Sequence, residues 1–174
     1  MKSNLILTTF ILMSFFGYTQ EDIFEHSRNG NTNAIKKLYE SNSKIIDTVN
    51  HKGFSPLILA VYNNQIETTT YLLEHGANPD VQDTSGNTAL MGACFKGYVE
   101  MIKLLIKHKV TVDQQNYNDA TALIFASTFG HTEIVKELLK NGADLKIKDN
   151  RGNKAVDHAR MQGNTEIVAL LESK

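Results

Sequence analysis

The sequence predicts an all-α fold: a solenoid of about five helix-turn-helix units, each 33 residues long and linked by short hairpin turns. Three recurrences carry that prediction. A Gly-x-x-Glu phrase returns every 33 residues, as Gly97-Tyr98-Val99-Glu100, Gly130-His131-Thr132-Glu133 and Gly163-Asn164-Thr165-Glu166. Ser55-Pro56-Leu57, Thr88-Ala89-Leu90 and Thr121-Ala122-Leu123 run ahead of it at the same interval. Small and large apolar positions keep that step too: Ala60, Ala93, Ala126 and Ala159, and Leu57, Leu90, Leu123 and Val156. A fixed period of this length means units stacked on one another rather than one closed core. Such stacks present long contact surfaces.

The chain opens on a segment of different character. Met1-Lys2 is a short basic start, and Leu5–Phe16 is apolar apart from Thr8, Thr9 and Ser14. Gly17-Tyr18-Thr19 then offers small residues at the −3 and −1 positions of a cleavage site. This is the layout of a secretory signal peptide over residues 1–19, cut near Thr19-Gln20. The apolar run is shorter than the roughly 20 residues a membrane-spanning helix needs, so no stable membrane anchor is expected after cleavage. The competing reading is an uncleaved, anchored start. No Cys ends the apolar run, which argues against a bacterial lipoprotein.

The remainder, residues 20–174, divides into units at 22–49, 50–82, 83–115, 116–148 and 149–174. Within a unit the first helix is short: Leu90 and Ala93 share one face, with Thr88 or Thr121 placed to cap its N-terminus. Pro56 stands in a first helical turn, where its missing N–H costs nothing. The second helix is longer, with Met101, Leu104, Leu105 and His108 on one face. Gly76-Ala77 and Gly142-Ala143 end it with a residue suited to the left-handed conformation. The first unit diverges, with His26 at the small-residue position and a loop one residue longer. In the last unit, Glu172 replaces Leu73, Ile106 and Leu139, and His158 replaces Leu59, Gly92 and Phe125. An end unit has no neighbour on one side, so polar residues there mark a cap.

The residues Asp83, Gly86, Thr88, Ala89, Leu90, Ala93, Gly97, Glu100, Ile102 and Leu105 resemble the ankyrin repeat pattern. The pattern recurs as Thr121, Ala122, Leu123, Ala126, Gly130, Glu133, Ile134, Val135, Leu138, Leu139, Gly142 and Ala143. The departures are specific. Ile58, Met91 and Ile124 replace the His usual after the Pro-Leu pair. Asp119, Lys109 and Asn64 stand at glycine positions, and repeat three is expected to fray where Lys109 ends its second helix. Gly92, costly inside a helix, is expected to make room for the ring of Phe125 one repeat later.

The resemblance implies a concave surface built from the turn tips and the exposed side of the first helices. Those positions carry Phe54, Tyr62 and Asn63 in repeat two, Phe95 and Lys96 in repeat three, Tyr117 and Phe129 in repeat four, and Arg151 in repeat five. Aromatics and Arg are favoured interface anchors. The competing reading packs Tyr62, Phe95 and Phe129 between repeats as core.

No enzyme is expected, for no nucleophile–base motif or phosphate loop is present. Six histidines occur, none paired at metal-ligand spacing, and His75 and His108 read as cations at helix C-termini. The single Cys94 excludes an internal disulfide and reads as a buried small hydrophobe. No cofactor or metal is called. Removal of Lys2 with the leader takes the formal net charge from −1 to −2, too near neutral for electrostatic nucleic-acid binding. The expectation is a monomer that binds a partner protein without catalysis. An exported chain with no disulfide and no Asn-x-Ser/Thr acceptor fits a bacterial periplasm, so the localisation expected is periplasmic or secreted. Similarity to short exported bacterial ankyrin proteins adds an accessory role in periplasmic stress defence, beside catalases. Two alternatives stand: an immunity or inhibitor protein, and a haem or metal carrier.

Overall fold

A computed structural model describes residues 23–173. The leader and its cleavage site lie outside those residues. Ten α-helices occur among the described residues: α1 (residues 23–29), α2 (Thr32–Ser41), α3 (Pro56–Tyr62), α4 (Ile66–Glu74), α5 (Ala89–Lys96), α6 (Val99–Lys107), α7 (Ala122–Thr128), α8 (Thr132–Lys140), α9 (Ala155–Met161) and α10 (Thr165–Glu172). They pair in order, two to a repeat. First helices stack in a row, α3 on α5, α5 on α7 and α7 on α9. Second helices form another, α2 on α4, then α6 on α8 on α10.

The alanine row explains the first stack. Ala60, Ala93, Ala126 and Ala159 are each wholly buried, and a single methyl lets neighbouring helices approach closely. Leu57, Leu90 and Leu123, with Met101, Ile102, Leu105, Ile134 and Leu138, fill the space between the two rows. The Ser and Thr caps behave as the sequence predicts. Ser55, Thr88 and Thr121 each accept a hydrogen bond from the backbone N–H three residues on, Ile58, Met91 and Ile124. In repeat five Lys154 has no such oxygen; Asp157 instead accepts the Lys154 N–H at 3.0 Å.

The turn tips are a second repeating device. Asn50, Asp83, Asn116 and Asp149 each use Oδ1 to accept two backbone N–H groups, two and four residues ahead. Asn and Asp serve equally because only the side-chain oxygen is needed. Successive tips are tied by Thr84 N–H to Lys52 O, Tyr117 N–H to Ser85 O and Asn150 N–H to Asn118 O. At the far edge, Asp47, Asp80 and Asp113 accept the N–H of Asn78, Thr111 and Asp144 in the next repeat. Lys146 occupies the equivalent position of repeat four.

Three expectations are refined. The extra residue of repeat one falls in the exit from α2, which runs ten residues and passes into a tight helical turn at Ser43–Asp47. Lys109 does not shorten its helix, for α6 has nine residues like α4 and α8, but the closing bond from Val110 N–H to Leu105 O lengthens to 3.5 Å, against 3.0 and 3.1 Å for Ala77 and Ala143. Lys109 takes φ 61°, and Asn64 and Asp119 both take 57°, so all three substitutes adopt the left-handed conformation of the glycines they replace. Lys109→Gly should therefore stabilise the fold by about 0.5–1 kcal/mol, the relieved strain being partly offset by added unfolded-state freedom. A rise in urea midpoint with unchanged slope is the expected readout. The third correction concerns Gly92. A Cβ there would meet Tyr62 Cδ2 at 3.3 Å and no Phe125 atom within 4 Å. The helix gives up a side chain for the ring of the preceding repeat, not the following one.

Candidate partner-binding face

The exposed ends of the first helices bring three rings into one row. Tyr62 and Phe95 lie nearly parallel at 6.2 Å between centroids, and Phe95 meets Phe129 edge to face at 4.7 Å. All three remain solvent-exposed, Tyr62 at 41%, Phe95 at 37% and Phe129 at 46%. The row thus answers to both earlier readings: the rings pack on one another across repeats, and each still offers a face to solvent. Lys96 lies over the row, its Nζ 4.4 Å from the Tyr62 centroid and 5.7 Å from that of Phe95. An ammonium over two ring faces is held by the ring quadrupoles.

The remaining sequence-predicted residues divide. Tyr117 stands out at the tip of repeat four, 70% exposed. Arg151 is exposed at the tip of repeat five. Asn63 is exposed but occupied, its Nδ2 donating to Leu59 O at 2.8 Å to close α3. Phe54 is partly exposed: it packs against the core and forms a wall of a groove on the same face.

That groove holds about 250 Å³ between the tips and first helices of repeats two and three. Phe54, Tyr62 and Phe95 line it together with Ile58, Met91 and Phe125, while Gly92 leaves the floor open. Phe125 also lines a neighbouring hollow of about 280 Å³ between repeats four and five, where Arg151, Asn118, Asn150 and His158 contribute polar groups. Ile58, Met91 and Ile124, noted from the sequence only as replacements for a usual His, line these two hollows. Their common 33-residue step beside the tips was the available signal that they also floor this face.

The polar hollow contains one tight pair. His158 Nε2 lies 2.8 Å from Asp149 Oδ2, with the side chains 19% and 8% exposed. His158 is therefore not simply a residue turned outward in an end cap. Burial alone would raise the Asp149 carboxyl. The Asn153 and Arg151 N–H groups and His158 outweigh it and hold the pKa below the ordinary value. A depressed carboxylate contributes stability that is present above the unfolded pKa, about 3.9, and lost as pH falls through the folded one. Asp149→Asn keeps the two turn hydrogen bonds, as Asn50 and Asn116 show, but loses the charge. Its stability deficit relative to wild type should shrink as pH falls through the carboxylate range, checked by thermal melts.

Cys94 is wholly buried, and burial pushes its thiol far up, so it is an inert core group. His75 and His108 cap α4 and α6. Among the described residues, no three His, Cys, Asp or Glu side chains converge as metal ligands.

Comparisons with known proteins agree with this architecture. The family profile described as "Ankyrin repeats (3 copies)" matches residues 23–116, and "Ankyrin repeats (many copies)" matches residues 105–159. A putative ankyrin repeat protein of Rickettsia prowazekii is 56% identical over 36 residues, covering 21% of this chain and 34% of its own length. The ankyrin repeat and SAM domain-containing protein 6 of Danio rerio is 34% identical over 62 residues, covering 36% of this chain and 8% of its own. The chain thus spans at most about a third of the curated relatives it matches. With more than half its length matched to one profile, and with tips, caps and stacked helix pairs in register, the chain belongs to the ankyrin repeat family.

Proposed function

We propose that this repeat domain acts as a non-catalytic monomer that binds a partner protein through the concave face around Tyr62, Phe95 and Phe129. Ankyrin repeats are protein–protein interaction modules, which supports the general reading. The observation that carries the particular one is the aromatic row, kept more than one-third exposed on each ring where a purely structural stack would cover it. Capture from the native source should test it, comparing wild type with a Tyr62→Ala, Phe95→Ala and Phe129→Ala variant shown to be folded. A partner retained by wild type and lost by the variant is expected; equal retention would move the site elsewhere.

The proposal extends to place. The basic start, apolar run and Gly17-Tyr18-Thr19 support export, with a periplasmic or secreted product. No helix of the described residues is long and apolar enough to cross a membrane. N-terminal sequencing of the native protein should begin near Gln20; an intact Met1 start in the cytoplasm would refute export. The resemblance to short exported bacterial ankyrin proteins supports an accessory role in periplasmic stress defence. Loss of the gene should then lower survival in hydrogen peroxide, and unchanged survival would remove that role.

A further inference from the structure

Among the described residues, only four Lys or Arg side chains form ion pairs. Lys103, Lys136 and Lys140 on the second helices each meet a glutamate, and Arg160 bridges Asp157 and Glu172 at the C-terminal end. On the concave side the one pair among the described residues is His158 with Asp149. Among the described residues, no carboxylate comes within 4.0 Å of the charged group of Lys52, Lys96 or Arg151. The acids on that side are Asp83, Asp119 and Asp149. Asp83 and Asp149 are engaged in their own turns, and Asp149 is further tied to His158. Asp119 is exposed at the tip of repeat four.

The apolar groove and the polar hollow are adjacent, for Phe125 lines both. The groove can hold one large apolar side chain among Ile58, Met91 and the rings. Lys96 lies beside it, and Arg151 stands at the rim of the hollow. An occupant suited to both carries an apolar anchor and, a few residues away, carboxylates for Lys96 and Arg151.

We infer that the partner presents an acidic segment in extended form: an aromatic or long aliphatic anchor enters the groove of repeats two and three, and flanking Asp or Glu side chains meet Lys96 and Arg151. This rests on the concave-face reading above and specifies its chemistry. The two cations set partner choice and, through the encounter rate, part of the affinity, while the anchor supplies most of the hold.

The test is selection of a random-peptide phage library on the full chain, followed by binding of the enriched synthetic peptides. An enriched pattern with an apolar anchor and adjacent acids is expected. Lys96→Glu and Arg151→Glu, both at exposed positions, should each weaken those peptides roughly tenfold and flatten the salt dependence. Circular dichroism verifies that each variant is folded. Enriched peptides that lack acids yet are lost on Phe95→Ala would overturn this inference and leave the concave face standing. Peptides indifferent to both Tyr62→Ala and Phe95→Ala would overturn the concave face itself. A basic pattern, or no enrichment, also overturns the acidic partner.

Discussion

Gly86→Ala should destabilise the protein by about 2–5 kcal/mol, whereas Gly142→Ala should cost only about 1–2 kcal/mol, although both glycines are left-handed. Their φ angles are 79° and 87°, so the backbone strain is alike. Their surroundings differ. A Cβ at Gly86 would lie 2.6 Å from the Tyr117 backbone nitrogen and 2.7 Å from its Cδ1, while one at Gly142 would meet nothing within 4 Å. The Tyr117 N–H is the group that bonds Ser85 O and ties the tips of repeats three and four. The methyl therefore pushes apart two repeats rather than bending one turn. Urea denaturation of the two variants should show the gap as separate midpoints. Equal losses would mean that φ alone sets the cost and that the tips contribute little to stacking.

Phe95→Ala should weaken partner binding by at least about 2 kcal/mol, the level of a binding hot spot. Its cost in stability should stay near 1–3 kcal/mol, for two aromatic contacts worth about 0.5–1.5 kcal/mol each. Emptying a fully buried aromatic site would cost more, about 3–5 kcal/mol. Phe95 is the middle ring, touching both Tyr62 and Phe129, so it should matter most of the three. Phe129→Ala loses one ring contact and should be milder for stability while still reducing binding. Calorimetric affinity and thermal melts on the same samples check the pair of values. A variant that unfolds while its residual folded fraction binds normally would assign the rings to the core.

The fold was legible because its determinants are local and periodic. Each cap, each left-handed turn and each buried alanine acts within a few residues of itself, and the 33-residue step repeats that information. Even the three glycine replacements behaved as their chemistry suggests, Asn, Asp and, at a cost, Lys adopting the left-handed turn. The site was legible only in outline. Tyr62, Phe95, Lys96, Phe129, Tyr117 and Arg151 do reach the exposed face. That Phe54 also leans on the core and that Asn63 also closes α3 was not legible, because each depends on how the tip and the helix end fold together.

The inter-repeat contacts were decided by the tertiary structure. Gly97 is left-handed, and a Cβ there would also strike the His131 ring at 2.6 Å. His131 belongs to the next repeat, so that second reason is invisible within one unit. The same holds for the Asp47, Asp80 and Asp113 ladder, for the fit of Tyr62 over Gly92, and for the pairing of His158 with Asp149. By itself the sequence determined what each unit is: a hairpin tip, a short helix, a tight turn and a longer helix, with its apolar and small positions in step. The twist and spacing between units decided which rings touch, which polar atoms meet and which cations stay unpaired. Those quantities arise from packing two copies of the pattern together, and a pattern that repeats along one chain does not state the angle at which its copies meet.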